Sequence, residues 1–184
     1  MPDFGKALRG LKPATASWQS QLANYVVAGF SPRSVLPPGE IQSNVLGSHY
    51  LIHVAYPHDY FHGKVGLNRL SSADLASLIT LMREKAIVPH RDRIVFLDTE
   101  TTGMQGGTGI CPFLVGLGYF VDDDFQMVQF FIRDFDEEPS MLLALGELLR
   151  RFDLVVTYNG ATFDIPLLET RFTLARLEHA FAVG

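Results

Sequence analysis

The sequence predicts a mixed α/β fold: a three-strand antiparallel meander joined by one parallel strand, with flanking helices. Three observations predict it. The apolar run 94-IVFL-97 has the length and composition of a buried strand, and two strand-like segments follow it across short connections. A helical pattern then separates the third strand from a fourth, which a right-handed crossover lays beside the first and parallel to it.

The elements follow in chain order. Residues 1–45 scatter Pro, Ser and Gly, as in 31-SPRSVLPPGE-40, and read as a loop-rich or partly disordered leader. Residues 46–92 read as an N-terminal extension. Its segment 49–67 mixes aromatic and β-branched residues with turn residues, which suits short strands. Its segment 72–85 is an amphipathic helix with Ser71 or Ser72 as cap and Leu75, Leu78, Ile79 and Met82 on one face; Pro89 ends it. A third region, 93–184, carries the sharper pattern. Strand 93–98 leads into the glycine-rich loop 103–109, strand 110–121 follows, Asp122–Asp124 suits a turn, and 125–134 is the next strand. The helix from Glu138 to Phe152 has Pro139 in its first turn and Met141, Leu142, Leu145, Leu148, Leu149 and Phe152 on one face. Strand 154–158 comes next. After 159-NGATFD-164 a second helix begins, with Pro166 in its first turn and Leu167, Leu168 and Phe172 inward.

Composition narrows the functional classes. The 184 residues are 47% apolar and 19% charged, ordinary values for a chain that buries a core. The net charge of −5 is uneven: residues 1–93 hold 10 Lys/Arg against 6 Asp/Glu, and residues 94–184 hold 5 against 14. A globally basic nucleic-acid binder is not indicated, but a carboxylate-rich, cation-recruiting site fits the acidic half. The single cysteine, Cys111, reads as a small core residue and excludes an internal disulfide. The start has no signal-peptide run, and the longest apolar run is too short to span a bilayer. The expectation is a cytoplasmic protein without membrane contact.

The strand 93–98 ends in Asp98-Thr99-Glu100. Residues two apart on a strand point the same way, so the two carboxylates share a face. Unpaired and half-buried, they would repel, and a divalent cation relieves this. Hard cations such as Mg²⁺ or Mn²⁺ prefer carboxylate oxygens, and two ions together can drive phosphodiester hydrolysis. In the parallel arrangement the loop after the fourth strand opens on the same edge, bringing Asn159 and Asp164 towards the pair.

At these residues the chain resembles the DEDD 3′–5′ exonucleases, which have a ribonuclease H-like fold. DTETTG at 98–103 is similar to their first motif, and Asn159 followed by Phe163-Asp164 to their second. The wider text, with GGTG, PFLVGLGYF and PLLETRF, is similar to the YprB-like ribonuclease H-like domain family over roughly residues 46–178, with His62-Gly63 as a weaker upstream match. The resemblance implies that Asp98, Glu100 and Asp164 are catalytic metal ligands for two Mg²⁺ or Mn²⁺ ions. It also implies that Thr101, Thr102, Asn159 and Phe163 contact or support a nucleic-acid 3′ end, DNA or RNA. The family pattern ends with a fourth acidic residue on a later helix. Here the chain stops at 178-EHAFAVG-184, so the domain is expected to lack its last strand and helix, with weak second-metal binding and little activity alone.

Other readings compete. A catalytically inactive ribonuclease H-like domain, acting as a nucleic-acid binder or scaffold, fits the absent fourth acid. A haloacid dehalogenase-like phosphatase also places an acid pair after a buried strand, but wants Asp where Glu100 stands. The loop 103–109 lacks the Lys-Ser/Thr ending of a phosphate cradle. His49, His53, His58 and His62 have no cysteine or tight pair to complete a zinc site. Asp164 also suits a helix cap.

Overall fold

A computed structural model of the chain describes residues 36–71, 90–103, 109–178 and 180–181. The helix expected over 72–85 and most of the glycine-rich loop lie outside these residues. The chain divides into two compact units, Met1–Gly39 and Glu40–Gly184, and the second holds every element below.

Eight strands are described: β1 (Glu40–Asn44), β2 (Gly47–Tyr56), β3 (Phe61–His62), β4 (Val65–Gly66), β5 (Ile94–Thr101), β6 (Pro112–Val121), β7 (Asp124–Phe131) and β8 (Leu154–Thr157). The helices are α1 (Asn68–Ser71, one turn), α2 (Glu138–Leu149) and α3 (Asp164–Leu174). Six strands form one mixed sheet in the order β1-β2-β7-β6-β5-β8, and β3 and β4 pair as a separate hairpin. β5, β6 and β7 are the expected meander. β8 lies parallel to β5, with Ile94 opposite Leu154 and Leu97 opposite Thr157. α2 makes the crossover. This is a ribonuclease H-like arrangement.

The two N-terminal strands are more than an extension. β2 pairs along β7 from Tyr50–Phe131 to Tyr56–Phe125, and β1, which begins inside the expected leader, closes that side of the sheet. The reason is physical: β7 carries Phe125, Met127, Val128, Phe130 and Phe131 and would otherwise present an open edge.

Alternation along the central strands explains the layers. Val95 and Leu97 on β5, Val115 and Leu117 on β6, and Val128 and Phe130 on β7 share one buried face. Burying each such side chain stabilises the fold by about 1.5–3 kcal/mol. The helices cover this face. His49 of β2 lies over Phe130 with ring centroids 5.8 Å apart, and its Nδ1 is 2.9 Å from the Ser140 hydroxyl of α2. Met141, Leu142, Leu145 and Leu149 of α2 are buried, as are Leu168 and Phe172 of α3. The opposite face holds Phe125 in ring contact with both Phe96 and Phe120 and, further along β5, Asp98 and Glu100.

Two ion pairs fix the frame around the site. Arg93 donates to both oxygens of Asp153, at 3.0 and 2.6 Å, and the Asp153 N–H donates to the Arg93 carbonyl at 2.8 Å. These bonds lock the starts of β5 and β8 in register. Arg171 of α3 pairs with buried Glu138 of α2, its Nε donating to Oε1 at 2.6 Å, and the Cys111 thiol donates to the same oxygen at 3.3 Å. Cys111 is therefore a core residue as expected. Burial, reinforced by Glu138, pushes its thiol pKa up to about 12.

Candidate active site

The site forms where β8 stops and β5 continues. Parallel pairing ends at Leu97–Thr157, so the side of β5 from Asp98 to Thr101 has no β8 partner. The turn 158–163 and the first residue of α3 follow directly from the end of β8.

The sequence 159-NGATFD-164 makes this turn for local reasons. Asn159 has φ +61°, a left-handed conformation that asparagine tolerates better than most residues. Its carbonyl accepts from the Thr162 N–H at 3.1 Å and the Thr162 hydroxyl at 3.0 Å. Gly160 is buried, and a Cβ there would lie 2.0 Å from the Thr157 hydroxyl oxygen. Its carbonyl accepts from the N–H groups of Phe163 and Ile165, which starts α3. Phe163 takes the N-cap position without a side-chain cap bond, and Asp164 is the first helical residue. The carboxylate of Asp164 is thus not spent on capping.

Asp164 is 4% exposed, and its Oδ1 accepts a hydrogen bond from the Thr99 hydroxyl at 2.5 Å. Thr99 lies on the helix-covered face, in line with Val95 and Leu97, whereas Asp98 and Glu100 alternate to the other. Asp164 lies near enough to Asp98 for its carboxylate to raise the Asp98 pKa, and Glu100 is coupled to Asp98 alone. Across β6, Asp98 stands opposite Gly116, where a side chain is absent, and Glu100 stands opposite Leu114. Asp98 is exposed and Glu100 half-buried.

Charge links the three carboxylates in pairs. Partial burial, then the Asp164 carboxylate, hold the Asp98 carboxyl above the usual range, while a bond from the Thr99 N–H acts in the opposite direction. Partial burial, then Asp98, raise Glu100 likewise. Asp98 is the member common to both pairs. Among the described residues no three His, Cys, Asp or Glu side chains stand close enough to make a ready-made cation site. The donor set itself suits a hard divalent cation, which would reverse the repulsion that raises both carboxyls.

The remaining expected residues serve local structure. The Thr101 hydroxyl donates to the Gly103 carbonyl at 2.7 Å, beside a register shift between Glu100 and Thr101. Thr102 exchanges bonds with Cys111: its N–H donates to the Cys111 carbonyl at 3.0 Å, and its hydroxyl accepts from the Cys111 N–H at 3.1 Å. Both threonines close the base of the loop between β5 and β6. Phe163 is half-buried and Asn159 exposed. Thr99 is the residue that sequence reasoning missed. The available signal was a hydroxyl on a strand face otherwise lined by Val95 and Leu97, which calls for a partner.

Residues 95–183 match the RNase_H_2 family model of the RNase_H superfamily. It is 32% identical over 133 residues to YprB of Bacillus subtilis (strain 168), covering 67% of this chain and 30% of that protein. A shorter stretch of 48 residues is 40% identical to DNA polymerase 1 of Aeropyrum pernix, covering 26% of this chain and 5% of the polymerase. The chain thus spans under a third of the length of either relative. None of the described helices is long and apolar enough to cross a membrane.

Proposed function

We propose that the chain is the nuclease-type domain of a metal-dependent 3′–5′ exonuclease of the DEDD class, acting on DNA or RNA. One observation carries the reading: Asp98 and Glu100 project from the exposed end of a buried strand, and the parallel β5–β8 pairing delivers Asp164 to its side. Asp98, Glu100 and Asp164 would hold Mg²⁺ or Mn²⁺. When bound, two such ions would supply an activated water and steady the leaving oxygen of a phosphodiester. The protein's part is to orient the three carboxylates, with Asp98 shared between the pairs. Thr101, Thr102, Asn159 and Phe163 border the place where a terminal nucleotide would sit. The single buried cysteine agrees with a cytoplasmic setting.

The test is release of nucleotides from labelled 3′ ends, with Mg²⁺ or Mn²⁺, by the full-length protein. Asp98→Ala is expected to lower the rate by about 100-fold or more, since the loss of a ligand exceeds the usual cost of losing its support. An unchanged rate in that variant sinks the proposal.

A second reading is favoured by the absence, among the described residues, of a ready-made three-ligand cluster. It is a catalytically inactive nucleic-acid-binding or scaffold domain. Binding of single strands with no metal-dependent turnover would select it.

A further inference from the structure

Thr99 sits between the two acids of the strand end but belongs to the other side of the sheet. Its hydroxyl reaches across to Oδ1 of Asp164, a carboxylate only 4% exposed. The bond works against a force the site itself creates. Asp98 and Asp164 repel each other, and a carboxylate at the start of a helix has rotamers that would swing it away from β5. A hydrogen bond to a charged group is stronger than a neutral one, which gives it the strength to resist that swing.

We propose that Thr99 is a positioning residue: its hydroxyl holds Asp164 beside Asp98 before any ion arrives, so that the pair is organised when the chain folds rather than when the cation binds. This rests on the metal-dependent reading above and names a residue that reading does not use. It assigns the middle position of Asp-Thr-Glu a role through Asp164, not through contact with substrate.

The experiment is Mn²⁺ binding to the full chain, followed by the loss of the free-ion electron paramagnetic resonance signal. Wild type is compared with Thr99→Val, which keeps the shape and removes the hydroxyl, and with Thr99→Ser, which restores it. Asp164→Asn serves as reference. Loss of the hydroxyl is expected to weaken Mn²⁺ binding about 10-fold or more, as for other groups that orient a metal ligand. Thr99→Ser is expected to recover most of it, which a purely structural role for the threonine methyl would not produce. Should Thr99→Val fail to fold, Thr99→Ala makes the same comparison against Thr99→Ser. Unchanged or tighter binding by the folded hydroxyl-free variant overturns the inference and leaves the metal-dependent reading standing. No Mn²⁺ binding by wild type overturns both.

Discussion

At the scale of single residues, the described chain concentrates its unusual chemistry in a few buried polar groups. His49 shows how one of them reports on the fold. Its ring is buried between β2 and α2, and burial lowers its pKa below the ordinary 6.5, with Glu137 opposing weakly. The unfolded chain therefore takes up a proton near pH 6.5 that the folded ring resists, so this contribution to stability is complete above that pH and declines as pH falls below it. Urea midpoints measured between about pH 7.5 and about pH 5.5 should fall for wild type, and His49→Gln should flatten the slope. Asp98 and Glu100 act with the opposite sign, because their raised folded pKa favours the protonated native state at lower pH. The difference between wild type and the histidine variant isolates His49. At this scale the sequence was legible in part. Asp98, Glu100 and Asp164 stood out as acids at the ends of apolar segments. The Thr99–Asp164 bond did not, because its partners are 65 residues apart and one of them passes for a spacer.

At the scale of elements, α2 and α3 are joined through buried charge as well as through apolar contact. Phe172 of α3 packs so closely on Gly146 of α2 that a Cβ there would lie 3.2 Å from the ring. Beside that contact, Arg171 and Glu138 are both mostly shielded from water. Removing one partner leaves the other buried and unpaired. Arg171→Met is expected to cost about 3–5 kcal/mol in denaturant unfolding, and the double variant with Glu138→Gln to recover much of it. A double variant no better than Arg171→Met would mean that apolar packing alone holds the helices together. The elements themselves were largely readable. β6 and β7 came from short apolar runs around an acidic turn, and α2 from its spacing of Leu and Met. The helix ends three residues short of the expected Phe152, which instead packs on Tyr119 with ring centroids 5.1 Å apart. Periodicity does not distinguish a last helical turn from an aromatic residue tucked under a sheet.

At the scale of the whole molecule, the sheet reaches further towards the N-terminus than the motifs suggested. A fragment cut at the motif-bearing region, 93–184, would strip β2 from β7 and expose a row of backbone donors and acceptors beside Phe130 and Phe131. That fragment is expected to aggregate, whereas 40–184 should give a cooperative unfolding transition; size-exclusion chromatography and circular dichroism decide it. A monomeric, cooperatively unfolding 93–184 fragment would show β1 and β2 to be dispensable. The pairing was hidden in the sequence because β2 is polar in places, carries His53 and Ser48, and meets its partner 69 to 81 residues later.

The glycine opposite Asp98 has a consequence of its own. A methyl group built on Gly116 would touch nothing nearer than the Asp98 carbonyl oxygen, 3.9 Å away. The vacancy is therefore not imposed by crowding, and a β-branched residue would stiffen β6. The central sheet thus gives up rigidity at a lateral position from which a bulky neighbour could shade the acid, and the strand stands there as a low sill beside Asp98.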